Sequence, residues 1–305
     1  WGKSRRIRDH FREATVRLRS RQALEWQLEL RAYDDGVAFR YRLTGKKPSH
    51  DVVIETENTE FRLVGDPSVL FMTVDGFHNS HEGLYERKPL STVPVNRLID
   101  KPLLAVWSNG TAAGITEARL RNFAGMYLER PKGSDANVLR TRLSPSMDKP
   151  SAAVMGKTPL TSPWRVILLA DQAGELVESN LLLCLNEPAE GDFSWIKPGK
   201  TTWPWWNGTV EHGPDSTPEL NLAINKRYID FCARNGIAYH SISSVADSRP
   251  WYVQSGGPGF DPRPDTDVTT PRPDVNLPAI LAYAKEKGVG IRLWVWWKPL
   301  SEKLE

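Results

Sequence analysis

LPAILAYAKEKGVGIRLWVWW, residues Leu277–Trp297, decides the fold of the C-terminal part of this chain. Its first half reads as a helix over Leu277–Lys287, Gly288 closes it, and Val289–Trp297 is an apolar strand-like run. A segment of the same design lies upstream. There the sequence predicts a helix over Pro218–Asn235, capped by Thr217, with Pro218 at its first position and Gly236 at its end. Leu222, Ile229 and Phe231 are among its expected inward residues. A strand follows over Ile237–Ser243, then a Pro/Gly/Asp-rich excursion over Val245–Asn276, and a strand-like WPWW (Trp203–Trp206) precedes the whole. Strand, helix, strand, helix, strand is the pattern of a parallel sheet, and a last strand apolar on both faces is one that flanking helices bury. This fits the first three strands of a (β/α)₈ barrel, apparently truncated before its remaining units. A doubly wound sheet ranks lower, because no Gly-rich phosphate loop follows any strand.

Upstream of Asn186-Glu187-Pro188 the character is different. Alternating runs recur at Ala23–Leu30, Val37–Leu43, Asp51–Glu57, Thr59–Val64, Leu103–Ser108, Ala112–Ala118, Val166–Ala170 and Leu181–Leu185. Turn signals such as Asp34-Asp35-Gly36 and the hairpin pair Asn109-Gly110 separate them. With little helical periodicity between them, they predict an antiparallel β-sandwich. The expected division is therefore 1–188 for the sandwich and 189–305 for the partial barrel.

At 305 residues, with 25% charged and 40% hydrophobic residues, the composition is that of a globular protein large enough for two domains. Net charge is +3 without a dense Lys/Arg block. The most basic stretch, Lys3–Gln22, mixes in acids and apolar residues and reads as a solvated face, so a nucleic-acid partner is not expected. No apolar run approaches the ~20 residues of a membrane span. Cys184 and Cys232 lack metal-ligand spacing and read as buried free thiols. The chain opens on Trp1 and closes just after an apolar run, which leads us to expect a piece of a longer protein.

Eight of the twelve tryptophans lie between Trp195 and Trp297. Indole offers a flat apolar face and an N–H handle, a combination that suits a sugar ring; filling a large core is the competing explanation.

Several segments carry a resemblance to a known family: DGVAFRYRL (Asp35–Leu43), ITEARLRNFAGMYL (Ile115–Leu128), SPWRVILLA (Ser162–Ala170) and LNEPAEGDFSWIKPGKTTWPWWNGT (Leu185–Thr209). Asn225–Ile242 and Leu277–Trp297 continue it, and SWIKPGK with its Trp run is the most specific part. Together they resemble glycoside hydrolase family 97, which includes α-glucosidases and α-galactosidases. The resemblance implies an N-terminal β-supersandwich, a (β/α)₈ catalytic barrel and a small C-terminal β-domain. It also implies an oligosaccharide or glycoside substrate, cleaved by an exo-acting enzyme. The family's catalytic carboxylates lie on later barrel strands, so no catalytic residue is assignable here and this chain alone is expected to be inactive.

The resemblance further implies a Ca²⁺ held partly by an N-terminal-domain carboxylate, for which Glu117 in ITEARL is the match by motif position; a strand-end surface carboxylate is the plainer alternative. Strand-end placement makes Trp205, Trp206 and Asn207 on the first barrel strand, and Trp296, Trp297 and Lys298 on the third, candidates for substrate binding. One indole of each pair would face the core by strand alternation, and Lys298 is equally readable as solvated. Two departures bear on substrate identity. Pro204 stands where many family members carry an acid, and suggests a bulge or strand start. The second strand runs into HSISSVADSRPWY (His240–Tyr252), where Asp247 or Trp251 would replace the usual acidic, aromatic groups. The family is largely bacterial and exported, which implies a periplasmic or secreted location.

His78 and His81, with Glu82 beside them, form a His-x-x-His in a Gly-flanked segment, DGFHNSHEGLYERKP (Asp75–Pro89). A polar loop from the sandwich touching the barrel mouth is the preferred reading and a zinc site the lesser one. No hydrolase nucleophile elbow occurs. Two other functions compete with the glycosidase: a non-catalytic carbohydrate-binding fragment, and an epimerase-like β-sandwich using its own His and Glu residues on a sugar.

Overall fold

A computed structural model describes residues 3–20, 24–45, 49–204, 222–242, 250–255 and 263–303. The chain divides into two compact units, Trp1–Glu190 and Gly191–Glu305.

The first unit is mostly β. Among the described residues, a nine-stranded sheet begins with the meander Arg12–Arg19, Glu25–Tyr33 and Gly36–Leu43. It continues through Trp164–Ala170, Ala112–Ala118, Leu103–Val106 and Ser68–Phe71 to Glu86–Pro89, and the ninth strand, Leu160–Thr161, pairs with the end of Gly36–Leu43. A five-stranded sheet contains Glu60–Arg62, Val138–Leu143, Met126–Glu129, Leu98–Ile99 and Thr73–Val74. Inward residues of both sheets form one core, in which Phe71, Leu103 and Ile115 pack with Phe61, Met126, Leu128 and Leu139. Period-two alternation explains how each strand divides: Ile115 and Glu117 share the inner face, while Ala118 turns to a separate cluster with Trp164 and Val166. These are the sandwich-like sheets that the alternating runs predict.

Two expectations are corrected in this unit. Leu181–Leu185 is not a strand; Leu181–Cys184 forms a helical turn. Leu181 and Leu185, one turn apart, are buried against Ala38 and Trp164, whereas Leu182 and Leu183 are exposed. That is helical spacing, disguised in the sequence by four consecutive apolar residues. Arg12–Arg19, within the basic stretch read as a solvated face, is indeed almost wholly exposed, and it forms a strand paired along its length with Glu25–Ala32. Cys184 is half-buried and only Cys232 is fully buried.

The second unit holds a three-stranded parallel sheet ordered Thr201–Thr202, Tyr239–Ile242, Gly290–Leu293. Helices Leu222–Arg234 and Leu277–Lys287 connect the strands. Gly288 takes the left-handed conformation (φ 68°) that ends the second helix, and its N–H bonds Ala284 and Lys285 carbonyls. Thr217 and Pro218 lie outside the described residues. On the first helix Ile224, Asn225, Ile229 and Cys232 face inward, Leu222 packs at the margin, and Phe231 is exposed, against expectation.

The Pro/Gly-rich excursion contains a small antiparallel pair, Tyr252–Val253 with Asp267–Pro271. The third strand is shorter than its apolar run. It stops at Leu293, and Trp297–Ser301 is a helical turn, so Trp297 and Lys298 open a helix rather than end a strand. The strand is half-buried rather than enclosed, with Arg292 exposed. The first strand likewise ends at Thr202, ahead of the WPWW run.

Candidate functional site

Glu117 and Arg165 are direct cross-strand partners on the inner face of the nine-stranded sheet. Arg165 Nη1 lies 2.7 Å from one Glu117 oxygen, and Nε and Nη2 grip Glu57 at 2.8 and 2.5 Å in a two-pronged bond. Lys101 Nζ is 3.1 Å from the other Glu117 oxygen, which also accepts the Met126 N–H of the five-stranded sheet at 3.0 Å. The side chains of Arg165, Glu117 and Glu57 are 0%, 5% and 9% exposed. Burial pulls the Arg165 guanidinium down, but the Glu57 and Glu117 bonds and charges outweigh it and hold its pKa above the ordinary arginine value. Glu117 is therefore not a strand-end surface carboxylate; it ties the two sheets together.

Ca²⁺ takes roughly six to eight oxygen ligands. Among the described residues no three His, Cys, Asp or Glu converge on one point, and both Glu117 oxygens already accept from Arg165, Lys101 and a backbone amide. The described residues do not by themselves make a calcium site at Glu117.

The same network reaches the loop bearing the two histidines. Lys101 Nζ sits 5.2 Å from the centroid of the buried Tyr127 ring, on which the His81 imidazole stacks at 6.0 Å and 16°. His81 Nδ1 is 2.6 Å from a carboxylate oxygen of Asp100, itself buried, and Asn79 Nδ2 donates to the Tyr127 hydroxyl at 3.2 Å. Residues 75–85 form a loop, as the glycines imply, before the strand Glu86–Pro89. His81 pairs with a carboxylate rather than with His78, and no zinc ligand set forms among the described residues.

In the second unit Trp205, Trp206 and Asn207 lie outside the described residues. Trp296 packs against the core, and its buried Nε1 has no hydrogen-bond partner among the described residues; Trp297 is 63% exposed and Lys298 is exposed. Trp251 is core rather than surface, and its Nε1 donates to the Trp294 carbonyl at 2.7 Å. His240 is fully buried between Thr202 Oγ1 (2.8 Å from Nδ1) and Asn225 Oδ1 (2.9 Å from Nε2), with Tyr228 stacked on it. Desolvation lowers its pKa to about 4, so it is a neutral strut between strand and helix.

Sequence reading did not find Glu57, Asp100, Lys101, Tyr127 or Arg165. One signal was available: a lone arginine inside the apolar run SPWRVILLA, which a buried strand tolerates only when it is paired.

Two family models extend over nearly the whole chain: Glycosyl-hydrolase 97 N-terminal over residues 1–188, and Glycoside hydrolase 97 over residues 205–305. The chain belongs to glycoside hydrolase family 97. It is 31% identical over 326 aligned positions to a retaining alpha-galactosidase of Bacteroides thetaiotaomicron, covering 98% of this chain and 46% of that protein. It is 30% identical to a probable retaining alpha-galactosidase of Streptomyces bingchenggensis, covering 96% and 41%. Among solved structures, it is similar to an arginine-to-lysine variant of a family 97 enzyme from Pseudoalteromonas sp. strain K8 (TM-score 0.80, 27% identity, 95% of this chain and 43% of that one). The same source gives an acarbose complex (TM-score 0.76, 27% identity, 92% and 41%). The chain thus spans less than half the length of these relatives.

Proposed function

We propose that this chain is the sandwich and the opening of the catalytic domain of an exo-acting α-glycosidase, cleaving α-galactosidic bonds, with α-glucosidic bonds as the second candidate. The observation that carries this reading is the pair of family matches, over residues 1–188 and 205–305, joined to 31% identity with a retaining alpha-galactosidase. A retaining pair needs two carboxyls about 5–5.5 Å apart. We assign neither to the described residues and place both in the part of the relatives' length that this chain does not span. The three parallel strands with their two connecting helices support a (β/α)₈ barrel, of which they are the first units.

For substrate binding we retain Trp205, Trp206 and Asn207, together with Trp296, Trp297 and Lys298. The exposed Trp297 ring, and the Trp296 N–H that has no partner among the described residues, are what favour the second group. Calcium enters through the family resemblance alone. Binding at Glu117 would require further oxygens from elsewhere and the release of Lys101, so Glu117→Gln should weaken Ca²⁺ binding by the longer protein in calorimetry. Location in the periplasm or outside the cell is likewise a proposal, tested by fractionation.

The deciding experiment compares the longer protein with this 305-residue chain on p-nitrophenyl α-galactoside and α-glucoside. Turnover by the longer protein, with α-galactose as the first anomer seen by NMR, and none by this chain, is expected. Turnover by this chain would overturn the assignment of catalysis beyond Glu305. Sugar binding without turnover by either would favour a binding module.

A further inference from the structure

The three strands that open the first unit, Arg12–Arg19, Glu25–Tyr33 and Gly36–Leu43, are paired in register, so their side chains stand in rows across the sheet. One face carries Glu13, Glu29, Arg31 and Arg40, tied into ion pairs. The other carries the rows Ala14–Leu30–Phe39 and Val16–Leu28–Tyr41, six residues without a charge. Charged on one face and apolar on the other is the pattern of a sheet that packs against a second layer.

Here that layer is missing. None of the six residues is buried, and Val16 is 44% exposed. Further along the same face of the same sheet, Leu103, Ala105 and Ile115 are fully buried in the core shared with the five-stranded sheet. Phe39 marks the boundary, its ring 6.2 Å from that of Phe61. Beyond it Val16, Leu28 and Leu30 join no core cluster among the described residues. In the next row Trp26 and Leu43 border a hollow of about 630 Å³.

From the sheet margin inward these strands run in sequence order, Arg12–Arg19 outermost. Strands consecutive in sequence are neighbours in space about two-thirds of the time. Those that follow are already in place, so the neighbours that remain are those that precede. There is chain enough to supply them, because the match spans 46% and 41% of the two curated relatives. We infer that the bare face is an interface internal to the longer protein. β-Strands upstream of Trp1 lie across it and complete the second layer of the sandwich, their alternate apolar residues packed on Val16, Leu28, Leu30 and Tyr41. This holds whatever bond the enzyme cleaves and does not rest on the glycosidase reading.

The test is photo-leucine cross-linking of the longer protein, read by mass spectrometry. Diazirines at Leu28 and Leu30 should link to peptides upstream of Trp1. Links to the chain downstream of Glu305, links between two copies, or no link from either position would each overturn the inference. Stability gives a second reading. Val16→Lys should move the melting temperature of the 305-residue chain by no more than about 2 °C, as an exposed substitution does. It should lower that of the longer protein by about 5 °C or more, since only there does a layer close over the ammonium. Equal shifts in the two proteins would count against the covering layer. Glycoside turnover by the unsubstituted longer protein is a separate readout, so either result can fail while the other stands.

Discussion

Lowering the pH from 7 to 5 should destabilise the C-terminal unit through one imidazole. His240 is fully buried between Thr202 and Asn225, and desolvation lowers its pKa from 6.5 to about 4. Near neutrality both folded and unfolded chains hold this ring neutral, and it contributes no pH dependence. Below about 6.5 the unfolded chain takes up a proton that the folded one refuses, so stability falls until the folded site titrates near 4. At about 1.36 kcal/mol per unit, the difference accumulated between pH 7 and 5 is about 2 kcal/mol, and the full effect below pH 4 about 3 kcal/mol.

Urea unfolding followed by tryptophan fluorescence is the assay, since eight of the twelve tryptophans lie between Trp195 and Trp297. Other carboxylates and histidines also titrate in this range, so the measured quantity is the difference between the wild-type chain and His240→Gln. Glutamine keeps a donor and an acceptor and removes the titration. The wild type should lose about 2 kcal/mol more than the variant on going from pH 7 to 5. Parallel losses, or a His240 NMR titration centred near 6.5, would refute the burial argument.

Arg165→Met should cost about 3–5 kcal/mol by leaving Glu57 and Glu117 buried without their cation, read as a fall in the melting temperature of the first unit. A Glu57→Gln/Arg165→Met/Glu117→Gln triple variant should recover part of that loss. Leu181→Ala should cost about 2–5 kcal/mol, whereas Leu183→Ala, on the exposed side of the same turn, should cost under about 0.5 kcal/mol; equal costs would restore the strand reading. Gly288→Ala should destabilise the second unit by about 1 kcal/mol in urea unfolding, because nothing lies near the added methyl and only the left-handed backbone opposes it.

The sandwich and the two βα connections were legible because their signals are local. Alternation over Ala112–Ala118 and the Gly-closed helix before Gly290 each lie within a dozen residues. Arg12–Arg19 was hidden for a physical reason: it is an edge strand almost wholly exposed, so no buried face imposed alternation on it. Leu181–Leu185 was misread because a run of leucines does not reveal its period. The site was harder still. Glu117 was reachable by motif, but its meaning depends on Arg165 opposite, Glu57 from another segment and Lys101 before the neighbouring strand, contacts that only the register creates. His81 was picked out with the wrong companion, since Asp100 lies nineteen residues away and joins it only when the loop folds over Tyr127.

The exposed first strand has a consequence for how this protein behaves in a crowded tube. Eight residues of open backbone at a sheet margin form a template on which a second copy could add and a fibre could grow. Arg12, Arg17 and Arg19 against the single Glu13 give that margin a positive excess, so two copies approaching edge to edge repel one another. Salt screens such repulsion over about 10 Å at 0.1 M, and high ionic strength therefore removes the guard. Storage in dilute buffer should keep the chain dispersed, and neutralising these arginines should turn a quiet margin into a seed for self-association.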